Sequence, residues 1–238
     1  MICCMLRSSN LINASISIAT YHEYILEGIY SLRLGLLAMR AARVEDQDTD
    51  PSGAGVVANL HFRYSFLMNC MALESAANAL LIDVDPSGGA YKDYERKPLI
   101  EKFKHYCKLK SRDLDSSDEQ LERIKRLIES RHEFVHPKPR KGACTDDGEV
   151  SENVGEGKDI PDHYYPKYFG LIGEQQALRA LQDTVAFLSW LCFDVCGLRI
   201  EEGAYALGLG SFGSTADLDF VSEENNLELD TRTFGRKQ

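Results

Sequence analysis

The sequence predicts an all-α fold: an up-and-down helical bundle of about five helices, with flexible loops and a C-terminal tail. Three observations carry the prediction. Every strongly periodic segment spaces its apolar residues three and four apart, the separation that lines one face of a helix. Those segments are joined by short runs rich in Pro, Gly and Asp, which break helices. A chain of 238 residues with 44 % apolar content also has enough material for one sizeable core. The expected organisation is a partly ordered segment 1–20, a bundle over 21–200 with a mobile insertion at 140–165, and a flexible tail over 201–238.

Residues 1–20 have no clean period. The first helix is expected from Tyr21 to about Arg43, with Ile25, Ile29, Leu32, Leu36 and Met39 as its seam. A linker with alternating aspartates follows at Val44 to Gly55. From Gly55 to about Asp83 the chain is apolar over most of its helical surface, which predicts the central helix of the bundle. Asn69, Glu74 and Asn78 interrupt that surface at helical spacing. Polar groups on a buried helix need partners, so Glu74 is a candidate counter-ion for an arginine elsewhere; a narrow solvent strip is the other placement.

Asp85-Pro86-Ser87-Gly88-Gly89 reads as a turn, and Pro98 opens a short basic helix from Leu99 to about Lys110. Ser117 and Gln120 have the spacing of a capping box and start the next helix, which Pro137 ends. Leu121, Ile124, Ile128 and Val135 form its apolar stripe, and the same rhythm puts Arg131 on it. After a polar, acidic segment, Gly173 to Cys196 forms the last strong helix, with Gly197 just past its end. Residues from Glu201 onward read as a tail, with room for one short strand or docking segment.

The chain carries a net charge of −10, which argues against a general nucleic-acid coat. The distribution is uneven, since residues 92–141 hold 15 Lys and Arg against 10 Asp and Glu. Seven cysteines, an odd number without a Cys-x-x-Cys pair, suggest reduced thiols rather than disulfides or a structural metal. No uninterrupted run of roughly 18 apolar residues is present, and the apolar start Met1 to Leu6 stops at Arg7. The expectation is a cytoplasmic protein without a membrane partner.

The helix ending in Arg131-His132-Glu133-Phe134-Val135-His136-Pro137 holds two overlapping chemical patterns. His132-Glu133-x-x-His136 matches the zinc-hydrolase motif, in which two imidazoles one turn apart hold a metal and the glutamate activates water. Pro137 breaks the backbone directly after the second histidine, and no third ligand follows at a familiar spacing, so no metal or other cofactor is expected. The second pattern is Arg131, a polar His132, and His136 closing the helix. An ordinary reading also exists: a cation near a helix C-terminus is favoured by the dipole, and a histidine before proline often serves as a cap.

This ending resembles that of the HEPN superfamily (higher eukaryotes and prokaryotes nucleotide-binding), all-helical bundles in which an arginine, a polar residue and a histidine close a late helix. The resemblance implies a metal-independent endoribonuclease, with Arg131 on the phosphate and His136, with His132, in proton transfer. Glu74 and Asn78 would stand behind them. It further implies a homodimer with two copies of the motif, RNA as substrate, and an antitoxin-like protein as partner, as in toxin–antitoxin pairs. Many members of the superfamily only bind, so a non-catalytic helical module is the alternative.

Overall fold

In the computed structural model the described residues are 10–45, 52–115, 117–135, 165, 172–207, 216–225 and 229–234. They form α1 (Asn10–Glu45), α2 (Ser52–Val84), α3 (Gly89–Tyr94), α4 (Leu99–Leu109), α5 (Glu119–Val135), α6 (Glu174–Ser189), a π-helical turn (Trp190–Val195), α7 (Ile200–Ala206), α8 (Ala216–Asn225) and a 3₁₀ turn (Thr231–Phe234). No strand occurs among them. The fold is all-α, with eight α-helices among the described residues where about five were expected. The difference lies in the short α3, which the sequence presents as part of a turn, and in the C-terminal elements.

α1 and α2 form a long antiparallel hairpin. Ile25, Ile29, Leu32 and Leu36 are buried as the seam predicts, facing Phe62, Phe66, Leu73 and Leu80 of α2. The hairpin closes tightly because α1 has glycine where α2 presents bulk. A Cβ on Gly35 would lie 2.5 Å from the Phe62 ring. α1 also starts eleven residues before Tyr21, so part of the segment that lacks a clean period is helical.

α2 is the central element, in contact with α1, α3, α4, α5, α6 and α7. Its Gly55–Val84 stretch is long and apolar enough to cross a bilayer by length and composition, which inspection for uninterrupted apolar runs does not show. Two thirds of its most apolar window is buried inside the bundle, the position of a core helix. Phe103 and Tyr106 of α4, Leu121, Ile124 and Leu127 of α5, and Leu181, Val185 and Leu188 of α6 complete the core around it. The Phe103 and Phe187 rings meet edge to face at 4.9 Å.

The start of α5 corrects the expected capping box. Asp118, not Ser117, holds the helix end: its carboxylate accepts the Gln120 N–H at 2.8 Å. Ser117 instead donates its own N–H and hydroxyl to Asp115 at 2.9 Å, forming an Asx turn that feeds the chain into the cap. At the end of α6 the helix loosens into the π turn, and Gly197 at φ 66 stops it, as the glycine position predicts.

The described residues beyond Glu201 do not behave as a free tail. Val221 and Phe234 are buried, as are Ala204, Ala206 and Leu207. Arg33 of α1 pairs with Asp217 of α8, and both Arg33 and Arg40 lie over the Phe220 ring at 5.1 and 5.6 Å. Arg232 in the 3₁₀ turn is held by Asp230 at 2.6 Å and by Asp194 of the π turn at 3.0 Å. Tyr165, at the edge of the expected mobile insertion, is also buried, its hydroxyl donating to Asp183 at 2.6 Å. The ends of the expected linker are helical, Val44 and Glu45 closing α1 and Ser52 to Gly55 opening α2, while its three aspartates, the rest of the insertion and His136 lie outside the described residues.

Candidate functional site

The site lies where α5 crosses α2 and α4. Leu121, Ile124 and Leu127 turn into the core, which leaves Ile128 half-buried and carries Arg131, one turn later, to the edge of a cleft. Arg131 Nη1 stands 3.0 Å from Glu74 Oε2, the carboxylate that the polar interruption of α2 offers. The pair is half-buried rather than deeply buried: the arginine side chain retains 28 % of its exposure and the glutamate 36 %. Arg131 Nη2 also reaches the Met71 sulfur at 3.6 Å. A guanidinium has five N–H donors, so these contacts orient it without exhausting it.

Glu74 has a second cationic neighbour, Lys102 of α4, with Nζ 4.0 Å from Oε1. The ammonium is almost wholly enclosed, at 3 % exposure, and donates to Asn78 Oδ1 at 2.9 Å. Burial pushes the Lys102 pKa down, while Glu74 and then Glu95 oppose the shift. One carboxylate therefore lies between a half-exposed arginine and a buried lysine, and an amide one turn along α2 steadies the lysine. The third polar residue of α2, Asn69, does not join them; its Nδ2 donates to its own helix at Ser65 O, 2.9 Å away.

The cleft has a volume of about 520 Å³ and is lined by Glu74, Lys97, Pro98, Leu99, Ile128, Glu129, Arg131 and His132. His132 is exposed on its rim. The lining thus combines Arg131, Lys97 and an imidazole with the carboxylates of Glu74 and Glu129 and the apolar Pro98, Leu99 and Ile128. Such a lining suits a polyanion that also presents a flat apolar surface, since the cations meet the charge and the apolar residues meet the rest. Cys70 lies close enough to feel the Arg131 charge, yet burial dominates and holds its thiol up at about 12, so it is inert at neutral pH.

Of the residues singled out from sequence, Arg131, His132 and Glu74 line this cleft, and Asn78 stands behind it through Lys102. His136 lies outside the described residues, as does the side chain of Glu133. Among the described residues no three His, Cys, Asp or Glu side chains converge as a metal-binding group. Lys102 is the member that sequence reasoning missed. Its signal is positional: Leu99, Phe103 and Tyr106 mark the buried face of α4, and Lys102 falls on that face.

A second polar cluster sits deeper, between α5 and α6. Asp183, 2 % exposed, accepts from Tyr165 and lies 3.9 Å from Arg123 Nη1. Burial and then the Asp183 charge push the Tyr165 hydroxyl well up. This cluster anchors Tyr165 to the bundle.

No family model, no curated protein and no solved structure matches the chain.

Proposed function

We propose that this cleft binds the phosphate backbone of RNA, and that the protein is a HEPN-type, metal-independent endoribonuclease in which Arg131 engages the scissile phosphate and His136 transfers a proton. The observation that supports the reading is the setting of Arg131: Glu74 fixes one edge of its guanidinium while the cleft, shared with Lys97 and His132, lies against the remainder. RNA cleavage without a metal requires the 2′-hydroxyl to lose a proton, the 5′-oxygen to gain one, and the phosphorane charge to meet a cation that never deprotonates. Guanidinium meets the last need with paired donors. Imidazole titrates near neutrality and serves either of the first two.

Directly preceding Pro137 at the end of α5, His136 is placed in sequence where a helix dipole favours its protonated form, the state of a general acid. One histidine cannot act as acid and base in the same step. The base is then His132, or His136 of a second copy across a two-fold interface.

A non-catalytic binding module is the second reading, favoured by one specific feature. Glu74 and Glu129 both line the cleft, and their charges oppose a phosphate more than a purely cationic wall would. Cleavage of single-stranded RNA in the presence of EDTA separates the two readings. Arg131→Ala and His136→Ala should each abolish cleavage while leaving the helical circular-dichroism spectrum unchanged. A wild-type protein that binds the RNA without cleaving it establishes the binding module instead, and a His136→Ala variant that cleaves as well as wild type overturns the role given to His136.

A further inference from the structure

The ends of α4 and the π turn bring together two cysteines that do not line the cleft. Cys107 Sγ and Cys196 Sγ are 3.9 Å apart, joined by an S–H···S contact between residues 89 positions apart in the chain. Cys107 is fully buried, whereas Cys196 is partly exposed. Each sits at a helix C-terminus shaped by a left-handed residue. Ser111, at φ 57, ends α4, with the Arg112 N–H bonded to the Cys107 carbonyl at 2.9 Å. Gly197 ends the π turn, and the Arg112 guanidinium lies 3.9 Å from where its Cβ would stand. The same turn that exposes Cys196 therefore places a cation beside it.

We propose that Cys107 and Cys196 form a reversible disulfide site, oxidised by hydrogen peroxide and reopened by a small dithiol. The Cys196 thiolate attacks one peroxide oxygen, the O–O bond breaks, and hydroxide leaves to take up a proton as water; the sulfur becomes a sulfenic acid. The Cys107 sulfur, with its proton transferred away, then displaces the sulfenic oxygen, which departs as a second water, and the S–S bond forms. Two thiols are oxidised by two electrons and one peroxide is reduced to two waters.

The roles follow from the surroundings. Cys196 is the more exposed of the two and has Lys110 and Arg112 nearby, and its pKa is lowered, chiefly by its contact with Cys107. Cys107 is raised by the same contact and by burial, which makes it the resolving partner. Closing the gap to about 2.05 Å asks for a shift of about 2 Å. Cys196 directly follows the π turn, at the end of the helix and next to the left-handed Gly197. Cys192, fully buried beside both sulfurs, has its thiol pushed up by burial and supplies no nucleophile.

The test uses the full chain, reduced and then treated with one equivalent of hydrogen peroxide, with remaining thiols alkylated under denaturing conditions before peptide mapping. The expected product is a linked pair of peptides carrying Cys107 and Cys196, with the intact mass lower by about 2 Da, reversed by dithiothreitol. Because the bridge closes a long loop, the oxidised protein should melt at least about 5 °C higher. Cys196→Ser should abolish the linkage, and Cys192→Ser should keep it. A disulfide through Cys3, Cys4, Cys70, Cys144 or Cys192, or a Cys196 that accumulates as sulfinic acid while Cys107 stays reduced, would overturn the proposal. The wild-type map decides even if a variant fails to fold.

Discussion

His22 should make this protein sensitive to acid through the joint between the bundle and its C-terminal elements. Its ring meets Tyr21 edge to face at 4.7 Å and lies near the backbone carbonyls of Leu207 and Thr233. Those carbonyls favour the charged ring, but they do not outweigh its burial. Burial dominates and lowers the His22 pKa from 6.5 to about 4. Between those values the unfolded chain holds the extra proton, so stability is lost as pH falls from about 6.5 toward about 4 and changes no further from this group below that. At pH 4.5 the loss is about 2.5 kcal/mol by linkage. Urea denaturation of the wild type and of His22→Phe, at pH 7 and pH 4.5, isolates it from the carboxylates that titrate in both proteins. The wild type should lose about 2.5 kcal/mol more than the variant. Parallel pH dependences would refute the burial argument.

Other substitutions test the remaining packing claims. Gly35→Ala should destabilise the hairpin by about 1–3 kcal/mol in urea melts, because the Phe62 ring is buried and has little room to move. Ser111→Gly should stabilise by about 1 kcal/mol, since a serine occupies a left-handed position that closes α4. Glu74→Gln should cost about 1–2 kcal/mol, the half-exposure of the pair reducing the loss while the enclosed Lys102 loses its nearest carboxylate. Elemental analysis of the purified protein should find no stoichiometric zinc; zinc held by His132 and His136 would favour hydrolase chemistry over the reading preferred here.

The parts of the fold legible in sequence are those in which one residue type breaks a strong pattern. α2 reads as the core helix because its apolar surface is nearly continuous, and for the same reason Glu74 and Asn78 stand out as groups that need partners. Lys102 did not stand out, because Lys104, Lys108 and Lys110 around it make an ordinary solvated face. The cap of α5 was misplaced by one residue, since Ser117 and Asp118 are both good caps and only the Asx turn at Asp115 decides between them. Of the C-terminal docking the sequence shows only that a segment could dock, not which residues anchor it. Its apolar anchors, Val221 and Phe234, lie in short segments without a sustained apolar period, and the pairs that fix it join Arg33 to Asp217 and Asp194 to Arg232, contacts between segments distant in sequence.

The most direct measurement of the proposed chemistry is the end group left on cleaved RNA. A labelled single-stranded RNA should be incubated with the wild-type protein in EDTA, and its products resolved for their termini. Attack by the 2′-hydroxyl, with Arg131 on the phosphate and His136 as proton donor, predicts a 2′,3′-cyclic phosphate on one fragment and a 5′-hydroxyl on the other, both absent with Arg131→Ala. Intact RNA, or fragments bearing a 5′-phosphate and a free 3′-hydroxyl, would contradict it.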